Sequence, residues 1–247
     1  MSSPADISDR RLTSSRGYND RLFETSSLRA KLHMARFHWL RKKISQYLPE
    51  ARSALELGCF DGRALQCLPQ SVEHYLGYDA NWEEGLDAAR IPTTFTGEAA
   101  FRFSESLETF SPEAIYDLSI CMETLEHLPL DVMDDYVDRL ISAARHNVFI
   151  TVPNEQGPVL VLKQMYKKCI LRNDSESYSV QELLYGFLGR TEKVERREGG
   201  HKGFSYKKLV DNLSSRYEVI AVQGLPFEWL PCICNFSIGI IIRGTAK

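Results

Sequence analysis

From Ser53 onward, short apolar runs alternate with helix-patterned stretches, and this rhythm restricts the fold more than any other feature. "SALELG" reads as a strand, and "RALQCL" then starts a helix. "HYLGYDA" is a second strand, followed by the helical "WEEGLDAAR". A weaker third strand lies near "AFRFS", and "AIYDLSICM" is a clearly apolar fourth. "ETLEHLPLDVMDDYVDRLISAA" supplies the helical crossover to a fifth, "NVFITVP". "YKKLVDNLSSR" is a helix, "YEVIAVQGL" a sixth strand and "CNFSIGIIIRG" a seventh. Such alternation predicts an α/β fold, a parallel sheet with helices on both faces. Too few residues join the last two strands for a helical crossover, so they pair antiparallel.

Two segments stand outside this rhythm. Residues 1–52 read as a polar N-terminus and a helical extension ahead of a domain over 53–247. In the extension, Ser27 to Leu48 has helical spacing: Leu28, Leu32, Ala35, Trp39, Ile44 and Leu48 share a face, and Pro49 ends it. The opposite face carries Arg29, Lys31, Arg36, Arg41, Lys42 and Lys43. It reads as a solvated cationic surface, with lipid or RNA contact as the alternative. The second segment, residues 155–202, is far longer than an ordinary connection. It holds the basic amphipathic "VLVLKQMYKKCIL" and the apolar "VQELLYGFL". Its place beyond the carboxyl ends of the strands suits a lid or substrate-recognition element. Peripheral membrane contact is its second reading.

Composition narrows the setting. A formal net charge of −3 over 247 residues gives no overall drive toward nucleic acid or anionic lipid. No run approaches the roughly 18–20 apolar residues that span a bilayer. The start of the chain has no apolar core of signal-peptide type. The six cysteines lack CxxC spacing, which points to free, buried thiols in a reducing cytoplasm.

The stretch "ALELGCFDGR", Ala54 to Arg63, carries the first chemical signal. Gly58 lets the chain turn sharply out of the strand, and Gly62 lets the next element pack close. Glu56 just before the turn repels a pyrophosphate but suits a ligand with a charged amine. Asp79 follows 23 positions later at the next strand end, where a carboxylate accepts from ribose hydroxyls. A strand-end acid, a glycine turn and a ribose acid together resemble the S-adenosylmethionine site of class I methyltransferases. That family's loop reads acid-x-Gly-x-Gly-x-Gly; Glu56, Gly58 and Gly62 match it, and Phe60 stands at the middle glycine. The resemblance runs from about Ser53 to the end. It implies a Rossmann-like seven-stranded sheet with the last strand antiparallel. It also implies that Cys59, Phe60 and Asp61 line the cofactor with the matched residues. After the third strand an acidic or polar residue would meet the adenine, and Glu105 is the candidate. Met122, after the fourth strand, is placed near the cofactor or in the core.

A second signal is "CMETLEHLP", Cys121 to Pro129. If helical, Glu123, Glu126 and His127 stand at i, i+3 and i+4, within reach of one ion. "REGGHKGFS" adds His201 on a glycine loop. Two carboxylates and two imidazoles suit Mg²⁺, Mn²⁺ or Zn²⁺. "CMETLEHLP" is similar to the corresponding segment of ubiquinone-biosynthesis O-methyltransferases. The Glu-x-x-Glu-His pattern with a distant His also resembles the metal site of small-RNA 3′-terminal 2′-O-methyltransferases. Both imply a divalent cation on Glu123, Glu126, His127 and His201 that holds neighbouring hydroxyl oxygens of the acceptor. The alternative is a helix start without metal, where His127 serves as catalytic general base. The leading functional reading is O-methylation of a small-molecule or glycan hydroxyl. An RNA methyltransferase and a non-enzymatic module that keeps the fold are the alternatives.

Overall fold

The apolar runs form one sheet of seven strands: β1 (Ser53–Leu57), β2 (His74–Asp79), β3 (Glu98–Phe103), β4 (Tyr116–Met122), β5 (Ala144–Pro153), β6 (Val219–Leu225) and β7 (Ser237–Arg243). Their order is β3-β2-β1-β4-β5-β7-β6. The computed structural model describes residues 28–171, 178–197 and 199–246. The polar start lies outside the described residues, as does part of the long insertion. Strands β1 to β5 pair parallel, while β7 runs antiparallel between β5 and β6. This is the Rossmann-like topology that the resemblance implies.

Five α-helices accompany it among the described residues: α1 (Leu28–Tyr47), α2 (Leu130–Ser142), α3 (Gly157–Tyr166), α4 (Val180–Phe187) and α5 (Tyr206–Arg216). The period of two along each strand sorts side chains between two cores. Leu55, Leu57, Leu76, Tyr78 and Ile150 pack with Val137 and Leu140 of α2 and Leu209 and Leu213 of α5. Ala54, Tyr75, Leu118, Ile120 and Phe149 pack with Phe37, Leu40 and Ile44 of α1. Strand parity therefore puts Glu56 on the α1 side with Ala54, and Asp79 on that side with Tyr75.

The α1 helix is the one expected, but its buried stripe differs. Phe37 and Leu40 are buried, whereas Leu32 and Ala35 are only partly covered. Nor is the basic face wholly solvated. Lys43 is buried with its ammonium 3.2 Å from Glu228, and Arg36 turns inward, with its Nε buried.

Three expected helices are shortened or broken. After β1, "RALQCL" makes only a 3₁₀ turn over Arg63–Cys67, entered through Gly62 at φ 74°. Leu68 is extended, as a residue before proline prefers. After β2, Asn81, Glu83 and Glu84 are all left-handed, which leaves one short turn over Trp82–Glu84. After β4, Glu123 is left-handed at φ 50° and a 3₁₀ turn covers Leu125–His127. Leu128 is extended before Pro129, so α2 begins only at Leu130. Glu123, Glu126 and His127 are therefore not the helical i, i+3, i+4 set.

Docking of α1 depends on one close approach. The Trp39 ring lies across Gly239 of β7, where a Cβ would stand 2.5 Å from it. Its Nε1 donates to Gln223 Oε1 at 3.0 Å. Gly239→Ala is expected to lower stability by about 1–3 kcal/mol through overpacking, read by denaturant unfolding. An unchanged midpoint would contradict this docking.

Candidate active site

The carboxyl ends of β1, β2 and β4 bring the two sequence signals to one edge of the sheet. Glu56 is buried and accepts a short hydrogen bond of 2.5 Å from the Tyr75 hydroxyl. Burial, helped by Asp61 and Asp79, pushes its carboxyl up to about 8 against the opposing Tyr75 and Arg36. Asp79 accepts from the Phe60 N–H at 2.9 Å and the Asn81 N–H at 2.7 Å. These bonds oppose the rise that burial imposes on its carboxyl.

Phe60 occupies the left-handed region at φ 48°, so the backbone keeps the shape of the glycine it replaces. Its ring lies over Gly85, beside Trp82 at 6.1 Å between ring centroids. Gly58, at φ 75°, leaves room for Thr124 of the β4 turn, into whose side chain a Cβ would run. The loops after β1 and β4 are thus in direct contact.

Beyond β4 lies a second cluster. Glu126 is fully buried, and neither carboxylate oxygen has a hydrogen-bond partner among the described residues. Its Oε1 is 3.8 Å from His127 Nε2 and 3.7 Å from His201 Nε2. Burial and the neighbouring Glu123 carboxylate push the Glu126 carboxyl well above its ordinary range. His127 Nδ1 lies 2.9 Å from the Gly199 carbonyl, which can only accept. Nδ1 is therefore the donor in this contact, which leaves Nε2 on the side of Glu126. Burial lowers His201, against Glu155 and Glu123, which favours a neutral imidazole.

Ligand atoms of Glu126, His127 and His201 all fall within 4.8 Å of one another, a spacing one cation can bridge. Glu123 is outside this group because its left-handed backbone breaks the helix. Its Oε1 is nonetheless buried without a hydrogen bond among the described residues. An orphaned carboxylate with two imidazole nitrogens at 3.7 and 3.8 Å fits a divalent cation with O and N ligands.

No family model matches the chain. It is 26% identical over 180 residues to the ubiquinone biosynthesis O-methyltransferase of Photorhabdus laumondii subsp. laumondii, covering 68% of this chain and 72% of that one. That likeness supports a class I S-adenosylmethionine-dependent methyltransferase. Solved structures agree in fold. The magnesium protoporphyrin IX methyltransferase of Synechocystis PCC 6803 with bound SAH superposes at a TM-score of 0.57 and 13% identity, over 91% of this chain and 92% of that one. The small RNA methyltransferase HEN1 superposes at 0.59 and 16% identity, over 97% of this chain but 27% of that longer one.

Not every nominated residue of the methyltransferase enters these clusters. Asp61 is engaged within its own loop, accepting from the Arg63 N–H at 3.2 Å and pairing with the Arg63 guanidinium at the same distance. Cys59 is buried, and burial pushes its thiol up. Met122 belongs to the apolar core under α1. Glu105 stands exposed two residues beyond β3.

Sequence reading missed four residues of the site. Arg36 reaches inward from α1, with its Nε buried and unbonded among the described residues, and its charge acts on both Glu56 and Glu126. His33 lies 3.4 Å from the Arg36 guanidinium. Burial, then Arg36 and other cations, push it down to about 3, so it is a neutral acceptor. Tyr75 was hidden because only register shows that it faces Glu56. Trp82 stacks on His127 at 6.4 Å and, with Phe60, forms an aromatic bridge between the two clusters.

The Glu56 carboxyl gives a pH prediction. In the donor-free methyltransferase it keeps its proton to about pH 8, while the unfolded chain releases it near 4.5. Within that window the native state binds the extra proton, so the contribution of Glu56 to stability falls as pH rises. The melting temperature of Glu56→Gln should therefore gain on the parent between about pH 5 and pH 8. A constant difference across that range would contradict the assignment.

Proposed function

We propose that this methyltransferase methylates an oxygen of an acceptor carrying neighbouring hydroxyl groups, assisted by a divalent cation. The observation that carries the reading is the Glu126 carboxylate, buried without a hydrogen bond opposite His127 Nε2 and His201 Nε2. Bound there, the cation would hold both acceptor oxygens and ease loss of one proton. Glu126, His127 and His201 are its ligands, and Glu123 completes the set after a small movement of the β4 turn. The set of oxygen and nitrogen donors suits Mg²⁺, Mn²⁺ or Zn²⁺.

S-adenosylmethionine supplies an electrophilic methyl on a sulfonium. Asp79 takes the ribose hydroxyls through carboxylate lone pairs that its backbone contacts leave open. Glu56 faces the amine, and binding of that charge draws off the carboxyl proton. Arg36 lies within electrostatic reach of Glu56, and its buried, unbonded Nε suits the donor's carboxylate. Gly58, Phe60 and Gly62 shape the turn against which the donor lies. Cys59 and Asp61 support it from behind. Met122 floors the site, and Glu105 approaches the adenine only if the loop after β3 closes. Alignment of the hydroxyl with the methyl supplies much of the rate.

The acceptor is a small molecule or a glycan in this reading, under the insertion over 155–202. Free thiols at all six cysteines suit a cytoplasmic setting, and no described helix is long and apolar enough to cross a membrane. The likeness to the small RNA methyltransferase HEN1 supports a ribose 2′-hydroxyl at an RNA end as the second reading. A mass-shift screen of cell extract with labelled donor separates the two.

Exhaustive chelation, or Glu126→Gln, should lower turnover on the order of 100-fold with donor affinity nearly intact. Unchanged turnover after chelation would overturn the metal reading. His127 would then be left as general base through Nε2.

A further inference from the structure

The insertion is tied to the loop that carries His201, and one side chain makes most of the tie. Glu182 lies in the first turn of α4, where it forms a reciprocal cap with Ser179: its N–H donates to Ser179 Oγ at 3.2 Å, and its Oε2 accepts from the Ser179 N–H at 2.9 Å. A capping glutamate ordinarily does no more. Here the other oxygen, Oε1, lies 2.8 Å from the Lys202 ammonium and accepts from the Glu195 N–H at 3.3 Å. These two partners sit on opposite legs of the loop over 195–202, whose closing bond runs from the Arg197 N–H to the Lys202 carbonyl at 3.2 Å.

The loop is gripped from its other side by the β4 turn. Arg196 donates to the Glu126 carbonyl at 2.6 Å, and His127 donates to the Gly199 carbonyl. The Lys202 ammonium also lies 5.5 Å from the centre of the Tyr178 ring, whose hydroxyl donates to Glu155 Oε2 at 3.0 Å. His201, next to Lys202, is thus held between the turn that bears its fellow ligands and the cap of α4. Burial disfavours the charge on Glu182, but Lys202 and Ser179 outweigh it and bring the carboxyl down to about 2. Glu182 therefore stays charged across the working pH range.

We infer that Glu182 is a positioning residue for the His201 ligand: through Lys202 and the Glu195 N–H it fixes both legs of the loop and keeps the imidazole opposite Glu126. The long insertion then does more than cover an acceptor; it completes the cation site. This inference rests on the metal reading above.

Isothermal titration with Mn²⁺ tests it without any acceptor. Glu182→Gln keeps a cap-competent side chain and removes only the charge. Lys202→Met leaves the α4 cap untouched, so the test survives if the first variant folds poorly. Each should weaken Mn²⁺ binding about tenfold, as loss of an outer partner does. The double variant should be no weaker than the worse single one, because both remove one interaction. Lys202→Arg, which can keep the ion pair, should restore most of the affinity. S-adenosylmethionine affinity should stay within about twofold throughout. If the parent takes up Mn²⁺ and Glu182→Gln binds it equally well, the positioning role is wrong. If the parent takes up none, the metal reading itself fails.

Discussion

A carboxylate sealed from water without a hydrogen bond is an unstable group, and Glu126 is one at the tip of β4. Two things relieve it: a proton, which its raised affinity favours, or a cation shared with His127 and His201. The proposed function takes the second, and the surrounding geometry supports it. The Gly199 carbonyl accepts from His127 Nδ1 and so turns Nε2 toward Glu126, and it belongs to the same loop as His201. The Arg196 guanidinium holds that loop to the β4 turn. Folding this edge therefore also brings Glu126, His127 and His201 together.

The same economy joins the donor side to the fold. Strand parity turns Glu56 and Tyr75 toward α1, so the helix that covers the core also delivers Arg36 to the buried acid. Asp79 holds Phe60 in a backbone shape that L-residues resist, preserving the turn without its middle glycine. The aromatic row of Phe60, Trp82, His127 and His201 spans the gap between donor loop and cation cluster. A methyl donor bound by one cluster and an acceptor oxygen held by the other would meet across that row.

The strands were legible because buried strands advertise themselves as apolar runs between turn residues. β7 was legible as antiparallel from connection length alone. The helices after β1 and β2 were not, because left-handed residues at Gly62, Asn81, Glu83 and Glu84 interrupt an otherwise helical pattern. Leu68 and Leu128 could have been read, since each precedes a proline. The left-handed Glu123 had no signal, and it moved one expected ligand out of the close group. Arg36 was assigned to solvent because a one-helix pattern cannot show that a cationic face meets buried acids. Tyr75 needed the β1–β2 register. Glu182 looked like a plain helix cap, and its second oxygen could be placed only once the insertion and the His201 loop were seen together.

How the acceptor hydroxyl is held and activated turns on whether a metal ion belongs beside residue 126. Anomalous diffraction from crystals grown with Mn²⁺ and the methyl donor's product asks this directly. The account predicts one strong peak within direct bonding distance of the Glu126 carboxylate and both imidazole Nε2 atoms. A clean map at that point, with the acid instead bonded as a neutral carboxyl, would contradict it.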